Sequence, residues 1–430
     1  MTFGPPPPES VDVYISTHRN FYGRGGALVF ATGLNRALRG RGISTCFLNQ
    51  SSPADPPCEE FDDTPQRNVA IAGSGLLWRL KSWLFTRRLE ESLRKLPPPR
   101  KAFVSMSFYW VAAAKRAWPN TPVYFPVPCL LANCTPFTWP GGRPPSFWKW
   151  LDHRGVRRAE HAACAAADVI LTPTEQARQE ILAFHPRIRG EIRTCPYGPE
   201  PIRLSREMRN TQRNALGVED EAVLFLAVGA CEPNKGFDLA IREWQAVDRR
   251  GVLAIVGEGP DRAAYKQMVA DLKLAGHVLV VGPQPVIDPW LAAADCVLST
   301  SHYDMFPLSV QEGWAAGRPA IVPLHEPPSV FSGCAEIVRI AGGGLLYDRN
   351  RSGALARRVN QFINERVLRA SLTKEADQIG HTRAGWEQYA NAILGTRNKS
   401  TANEPQRTAE SADPEPCVAA TSSQDGMCDR

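Results

Sequence analysis

The sequence predicts an α/β protein made of two doubly wound domains of similar size, each a parallel sheet with helices on both faces. Apolar runs of four to seven residues alternate with longer amphipathic stretches, the pattern of buried parallel strands and their covering helices. The pattern stops at 199–221, a polar segment with Pro199 and Pro201 that is typical of an interdomain linker, and then restarts. A chain of 430 residues is also too long for one ordinary core.

The apolar runs place the strands. In the first half they lie at 11–16, 44–49, 102–105, 123–125 and 169–172, and in the second half at 222–228, 252–256, 278–281, 296–299 and 320–322. The two ends of the chain have too few large apolar side chains to fold. The boundaries that we expect are a disordered lead at 1–10, a first domain at 11–198, the linker at 199–221, a second domain at 222–380, a terminal helix at 381–395 and a disordered tail at 396–430.

Composition argues against several classes of protein. The 50 basic and 44 acidic residues give a formal charge of +6, without the dense basic tract of a nucleic-acid-binding protein. The eleven cysteines include no CxxC pair, so neither a zinc ribbon nor a disulfide framework is indicated. The longest apolar run, the ten residues 222–231, is too short to span a bilayer, and the start of the chain does not resemble a signal peptide. We therefore expect a cytoplasmic protein.

One segment indicates contact with a membrane. Residues 76–96 read LLWRLKSWLFTRRLEESLRKL, in which leucines keep near-helical spacing and basic residues crowd the remainder. Such a helix can lie on an anionic membrane surface, here the inner face of the membrane. The alternative is an ordinary surface helix whose leucine stripe is buried in the domain.

A first glycine-bearing loop lies in the first half of the chain. Gly23, Gly25 and Gly26 directly follow the first strand and precede a helical pattern at 28–38. Glycine lets the backbone approach a ligand closely, and the amides at a helix start can face a phosphate. A plain strand-to-helix turn would have the same pattern.

Three glycine-bearing loops follow successive strands of the second half. They contain Gly229 with Lys235, then Gly257 with Gly259, then Gly282. Loops after parallel strands meet at one edge of the sheet, so together they outline a crevice. Lys235 is placed to reach a charged leaving group there. Alternatively, Lys235 is a surface residue in a turn.

The segment 301–317 is the most informative. Pro307 is placed to open a helix, with Asp304 in the loop before it and Glu312 on its second turn. Both carboxylates can therefore accept hydrogen bonds from sugar hydroxyls in the crevice. The backbone amides that point the same way are those of Met305, Phe306 and Leu308. Alternatively, Asp304 caps the helix and Glu312 is solvated.

In its second half the chain resembles glycosyltransferase family 4 (group 1), the retaining sugar-nucleotide transferases with the two-domain GT-B fold. The resemblance rests on an ordered series of motifs: VG…NKG, IVGEGP, VGP, AAADCVLSTS, a D-x7-E version of the family's E-x7-E motif, AAGRPAIV and GGGLLYD. The first half agrees through GRGG, AEHAACAAADVILTPTEQARQEI and PYG, where the family usually has PNG. The resemblance implies two Rossmann-like domains that face each other across a cleft.

The resemblance also implies roles for individual residues. Glu312 would bind the donor ribose, Asp304 with the amides after it the donor sugar, and Lys235 the diphosphate. Gly25 and Gly26 would contact the phosphate or sugar from the opposite domain. No metal or other cofactor is implied, which agrees with the absence of a D-x-D triplet from the sequence, because a lysine and a helix start can meet the diphosphate charge.

The activity that follows is retaining transfer of a hexose from a nucleoside-diphosphate sugar to a hydroxyl of a glycan, glycolipid or small metabolite, as in polysaccharide biosynthesis. Three departures from the family pattern stand out. Ala230 occupies the place of an arginine, Asp304 replaces a longer glutamate, and a first-domain histidine is absent from VYFPVPCLLANC. They keep open a catalytically silent GT-B protein that binds a sugar nucleotide or a partner. A GT-B epimerase or phosphorylase is a further alternative.

The terminal helix carries one apolar stripe. Its members occupy positions i, i+3, i+4, i+7 and i+8, namely Trp386, Tyr389, Ala390, Ile393 and Leu394. The resemblance implies that this helix crosses back to pack on the first domain. The alternative is that it packs wholly on the second domain.

Overall fold

The computed structural model describes residues 2–3, 10–16, 26–51, 60–61, 64–70, 82–127, 129–138, 146–199, 201–383 and 385–395. These residues belong to one compact unit. Gly23 and Gly25, most of the expected lead and the whole of the expected tail lie outside the described residues.

The N-terminal domain is built on a mainly parallel sheet. Its strands are β1 (Thr2–Phe3), β2 (Val13–Ser16), β3 (Thr45–Ser51), β4 (Glu60–Phe61), β5 (Thr64–Ala70), β6 (Ala102–Ser105), β7 (Val123–Pro126), β8 (Val169–Thr172) and β9 (Glu191–Thr194). They are ordered β1-β5-β3-β2-β6-β7-β8-β9, with β4 on β5, and β1 and β4 pair antiparallel with β5. The central strands are buried throughout because helices cover both faces.

The covering helices of this domain divide between the two faces. They are α1 (Gly26–Arg39), α2 (Ser82–Leu93), α3 (Phe108–Ala117), α4 (Leu131–Cys134), α5 (Phe147–Ala166) and α6 (Glu175–Phe184). The alternation along β2 shows the arrangement, since Val13 and Ile15 join the core under α1 and Tyr14 joins the core under α2, α3 and α5.

The leucine stripe of the basic helix is buried where it is described. Leu89 and Leu93 of α2 have no exposed surface and pack in the core with α3, whereas Arg87 and Arg94 are exposed. The described leucines of the segment 76–96 are therefore buried in the domain, as the alternative expects, and the basic residues of this helix face outward. Residues 76–81 lie outside the described residues. Within the described ranges, no helix is both long and apolar enough to cross a membrane.

The C-terminal domain repeats the architecture with a wholly parallel central sheet. Its strands are β10 (Val223–Val228), β11 (Gly251–Val256), β12 (Val278–Gly282), β13 (Cys296–Leu298), β14 (Tyr303–Asp304), β15 (Ala320–Pro323), β16 (Phe331–Ser332) and β17 (Gly344–Tyr347). The central order is β12-β11-β10-β13-β15-β17, and β14 pairs with β16 beside it. Because every strand of the central sheet runs the same way, the loops that follow them share one edge.

The helices of this half begin before the sheet. They are α7 (Arg206–Leu216), α8 (Phe237–Glu243), α9 (Arg262–Asp271), α10 (Asp288–Ala293), α11 (Leu308–Ala315), α12 (Cys334–Ala341), α13 (Ala354–Asn364), α14 (Arg366–Arg383) and α15 (Glu387–Leu394). Helix α7 lies inside the expected linker. Its arginines hold it on the second domain, since Arg209 and Arg213 both bond Asp295 and the carbonyl of Ala293.

Helix α15 packs on α1 of the N-terminal domain. The Trp386 ring meets Phe30 edge to face at 5.3 Å and stacks on Tyr197 at 5.4 Å. Tyr389 also meets Phe30 at 5.3 Å. At the helix surface, Arg41 donates to Asn391 Oδ1 at 2.7 Å. The last described helix therefore packs on the N-terminal domain.

A second contact joins the two domains nearer the sheet edges. Glu336 of α12 accepts hydrogen bonds from the amides of Glu175, at 3.2 Å, and Gln176, at 2.8 Å. These are the first amides of α6, which have no partner within their own helix. A carboxylate of the C-terminal domain thus caps the N-terminus of a helix in the N-terminal domain.

Candidate functional site

The glycine loops at the edge of the C-terminal sheet touch one another. A Cβ added at Gly257 would lie 1.8 Å from the carbonyl oxygen of Gly229, and one at Gly259 would lie 2.3 Å from that of Cys231. Both distances are below any real Cβ contact, so only glycine permits this packing. The loops after β10 and β11 are therefore fixed to each other by direct backbone contact.

The third glycine loop is covered by an arginine. Gly282 has a φ of +106°, and a Cβ there would lie 2.7 Å from Nη2 of Arg262. Arg262 donates to Glu258 Oε2 at 2.9 Å and to the Val281 carbonyl at 3.2 Å. The residues expected to outline one crevice, Gly229, Gly257, Gly259 and Gly282, do lie at one edge, and Gly257 donates its amide to the Gly282 carbonyl at 3.0 Å.

Lys235 and Asp304 form an ion pair. Lys235 Nζ lies 2.7 Å from Asp304 Oδ2, and the two side chains are 23% and 16% exposed. Burial on its own would lower the pKa of Lys235, but the Asp304 carboxylate outweighs this and raises it. Lys235 is therefore a fixed ammonium ion, held between its own turn and the loop that precedes α11.

A neighbouring asparagine sets the position of this pair. Asn234 donates through Nδ2 to the Tyr303 carbonyl at 3.0 Å and accepts from the Tyr303 amide through Oδ1 at 3.1 Å. The Thr300 hydroxyl donates to the Lys235 carbonyl at 2.8 Å. Since Asn234 precedes Lys235 and Tyr303 precedes Asp304, the bonds from the Asn234 side chain to the Tyr303 backbone bring the two charged residues together.

Helix α11 places Glu312 as the sequence indicates. The helix begins at Leu308 directly after Pro307, and Gly317, with a φ of +65°, follows its end. Burial, and then the nearby Asp288 carboxylate, raise the pKa of Glu312 to about 7. Within the described part of the chain its carboxylate accepts no hydrogen bond. It is thus a partly buried carboxylate that bonds to no other described residue, so it is available to accept hydrogen bonds from a ligand.

The residues between Asp304 and α11 anchor the loop. The side chains of Met305 and Phe306 are buried, and Gln311 donates to the Phe306 carbonyl at 2.9 Å. Gly333 must be glycine here, because an added Cβ would lie 1.5 Å from the Met305 carbonyl oxygen. Leu308 is the first residue of the helix, so its amide has no partner within α11.

The N-terminal domain approaches the same site through α4 and the residues before it. Glu160 of α5 accepts from the amides of Leu131, at 2.6 Å, and Ala132, at 3.3 Å. Burial raises the pKa of Glu160 to about 7 despite these two amides. The buried carboxyl group holds the start of α4 in place.

Tyr303 bridges the two domains beside the ion pair. Its hydroxyl donates to Glu180 Oε2 on α6 at 3.1 Å and accepts from the Leu130 amide at 3.4 Å. Glu180 also accepts from Asn133 Nδ2 at 2.7 Å, and burial raises its pKa to about 7. The residue next to Asp304 is thus bonded to two elements of the opposite domain.

Two thiols lie on the N-terminal side of this contact. Burial, and then the Asp304 carboxylate across the cleft, raise the pKa of Cys134 to about 12. Burial, and then Cys134, raise the pKa of Cys129 as well. Both sulfurs are therefore protonated at neutral pH and are poor nucleophiles. They occupy the segment in which the sequence lacks a histidine.

The remaining expected contacts come from the first glycine loop. Gly26 is the first residue of α1, and Gly25 lies outside the described residues. Of the expected set, Lys235 and Asp304 are in contact, and Glu312 lies on the helix that follows Asp304. Sequence reasoning missed Asn234, Tyr303 and the two buried glutamates, because their roles depend on which loops meet. The signal for Asn234 was its place inside the NKG motif.

Comparison with known proteins finds a family match for the second half. Residues 208–379 match the family model described as glycosyl transferases group 1, which confirms the resemblance to group 1 for this part of the chain. The fold agrees over a longer stretch with a crystal structure of Anabaena HepE (Alr3699) in complex with UDP and glucose. That alignment has a TM-score of 0.69 and 16% identity and covers 90% of this chain and 99% of the other. The architecture is therefore GT-B.

Curated relatives match over shorter stretches. An exopolysaccharide phosphotransferase of Streptomyces coelicolor, SCO2592, is 29% identical over 192 residues, which is 42% of this chain and 19% of that protein. The lipopolysaccharide core biosynthesis glycosyltransferase LpsE of Rhizobium meliloti is 28% identical over 168 residues, 39% of this chain and 47% of that protein. The chain thus spans less than half the length of these two relatives.

Proposed function

We propose, on the premise that residues 208–379 form a group 1 glycosyltransferase domain, that the protein transfers a hexose from a nucleoside-diphosphate sugar to an acceptor hydroxyl with retention. The Lys235–Asp304 pair at the edge of the C-terminal sheet carries the proposal. It combines an ammonium ion for a diphosphate with a carboxylate for sugar hydroxyls at the place where the opposite domain approaches. A metal or other cofactor has no part in this proposal.

In the proposed reaction, Lys235 and Asp304 have different roles. The acceptor oxygen attacks the anomeric carbon on the face from which the diphosphate leaves. The bond from that carbon to the diphosphate oxygen breaks, and the acceptor proton passes to the departing phosphate. Lys235 meets the negative charge that grows on the leaving group, and the first amides of α11 add the positive end of a helix. Lys235 must turn from Asp304 to the diphosphate, which leaves Asp304 to accept hydrogen bonds from the sugar.

Glu312 supplies the ribose contact in this proposal. Its carboxylate accepts no hydrogen bond from the described residues, and two ribose hydroxyls would provide the donors that it lacks. Binding would also lower the raised pKa of this group, because hydrogen bonds to a carboxylate favour its charged form. The donor therefore binds best to the ionised residue, above about pH 7.

A screen for donor hydrolysis tests the proposal, with UDP-glucose first, because the HepE structure holds UDP and glucose. Glu312→Ala should weaken donor binding about tenfold to a hundredfold, because this is the affinity that hydrogen bonds to a charged group contribute. Glu365→Ala, at an exposed carboxylate on the loop after α13, is the matched control and should bind as the wild type does. Equal donor affinity in all three proteins would overturn the role of Glu312. Binding of sugar nucleotides without any turnover would favour a catalytically silent GT-B protein.

A further inference from the structure

An open cavity of about 910 Å³ lies on the outer surface of the N-terminal domain, between α2, α3 and α5. Small side chains, including Ala112, Gly155 and Ala159, leave the space between the helices. The rim carries arginines from all three helices, namely Arg87, Arg94, Arg116, Arg154 and Arg158. None of the residues placed at the candidate donor site lines this cavity.

The surface around the cavity concentrates the positive charge of the chain. Residues 82–96, Arg116 and residues 147–158 contain nine lysines and arginines and three acidic residues. This excess is as large as the formal charge of +6 of the whole protein. Its effect is a local positive potential that attracts an anionic surface.

The acidic residues of the rim leave part of this charge unmatched. Glu90 lies 2.8 Å from Arg94 and 2.7 Å from Arg116 and so balances charge at one end of the cavity. At the other end, no carboxylate of the described ranges lies within ion-pair distance of Arg154 or Arg158. An anion supplied from outside would meet these two guanidinium groups.

Two aromatic side chains project beside these arginines. Phe147 is 65% exposed and Trp150 is 38% exposed. Their rings stack at 5.6 Å, and the Arg154 guanidinium lies 4.8 Å from the centre of the Trp150 ring. On α5, Phe147 lies three residues before Trp150 and Arg154 lies four residues after it. Residues at these spacings are neighbours on one face of a helix, so both side chains can contact the Trp150 ring.

We propose that this surface docks the protein on a membrane rich in anionic phospholipids. Arginines near a negatively charged leaflet and aromatic rings at the level of the headgroups are the two components of interfacial binding. Phe147 and Arg154 already contact the Trp150 ring, which favours this partner over a single-stranded nucleic acid, whose bases would compete with them for stacking. The apolar component comes from α5, because Leu89 and Leu93 of α2 are buried in the domain.

Sedimentation with lipid vesicles tests the proposal on the full-length protein without donor or acceptor, so the outcome does not depend on the proposed activity. The protein should bind vesicles of equal parts phosphatidylglycerol and phosphatidylcholine, and bind phosphatidylcholine alone far more weakly. Arg154→Gln combined with Arg158→Gln should weaken binding about thirtyfold, since each arginine near a charged bilayer contributes about fivefold. Phe147→Ser should weaken it severalfold, and this exposed side chain can change without altering the core.

The control variant makes the same kinds of substitution, of an exposed arginine and an exposed apolar residue, on the C-terminal domain. Arg366, 80% exposed, and Val367, 86% exposed, lie at the start of α14, and Arg366→Gln with Val367→Ser should bind vesicles as the wild type does. A thermal melt verifies that each variant is folded. Equal binding by the wild type and the Arg154/Arg158 variant would overturn the proposal. So would full displacement by millimolar inorganic phosphate at constant ionic strength, or binding to poly(U) RNA without binding to vesicles.

Discussion

Gly33 of α1 provides a direct test of how α15, the last helix of the described residues, is attached. A Cβ at this position would lie 2.0 Å from Nε1 and 2.1 Å from Cε2 of Trp386, well inside van der Waals contact. Gly33→Ala must therefore displace an indole that is only 6% exposed and packs between Phe30 and Tyr197.

Two opposing terms set the magnitude. Alanine in a helix interior is favoured over glycine by about 1 kcal/mol. Loss of the packing of a buried tryptophan costs about 3 to 5 kcal/mol. The second term exceeds the first, so Gly33→Ala should lower the free energy of unfolding by about 2 to 4 kcal/mol.

A double-mutant cycle separates the two terms. In a Trp386→Ala background the indole is gone, and Gly33→Ala should instead raise the free energy of unfolding by about 1 kcal/mol, the helix-propensity term alone. Chemical denaturation of the four proteins, followed by circular dichroism, gives both values. A stabilising effect of Gly33→Ala in the wild type, or the same effect in both backgrounds, would refute the proposed packing.

Three further predictions concern the cleft. Lys235→Ala should lower kcat more than it raises KM, because the charge that Lys235 meets grows in the transition state, and steady-state kinetics showing a change in KM alone would contradict this. Glu160 has a folded-state pKa raised from 4.5 to about 7, so its contribution to stability is present below pH 4.5 and is lost, by about 3 kcal/mol, as the pH rises through 7. Glu160→Gln should remove this part of the pH dependence of unfolding, and an unchanged slope between pH 5 and 8 would count against it. Tyr303→Phe deletes the donor to Glu180, at a cost of about 1.5 to 3 kcal/mol at pH 8, where that carboxyl group is charged, and less at pH 5. Equal losses in denaturation at the two values of pH would exclude a charged partner.

The strands of both central sheets could be predicted from the sequence because burial on both faces leaves continuous apolar runs. The runs 102–105 and 169–172 coincide with β6 and β8. The strand β9 was missed because it reads Glu-Ile-Arg-Thr, lies at the sheet edge and is partly exposed. The strand β17 was missed because it begins with glycine and its flanks read as a turn. The apolar runs therefore locate strands made of consecutive apolar residues, including the edge strand β12, and miss edge strands with polar residues or glycine.

For the site, the sequence supplied the individual charges but not their pairing. Lys235 and Asp304 are 69 positions apart, and their contact depends on the bonds from the Asn234 side chain to the Tyr303 backbone. The linker was harder to predict for a similar reason. From the sequence alone, its arginines indicate a polar segment exposed to solvent. In the structure, Arg209 and Arg213 instead form ion pairs with Asp295, which lies on another loop.

The interlocked glycine loops also limit how this protein can evolve. A side chain at Gly257 or Gly259 would separate two backbone segments at once, so single substitutions there should be eliminated together with the fold. Ala230, on the same loop as Gly229, is exposed and can accept larger residues without moving its neighbours. Adaptation to a different sugar nucleotide would therefore proceed by exchanging outward side chains such as that of Ala230 on an invariant frame. In a saturation library of residues 229–259, substitutions at Gly257 and Gly259 should abolish folding, whereas substitutions at Ala230 should be tolerated.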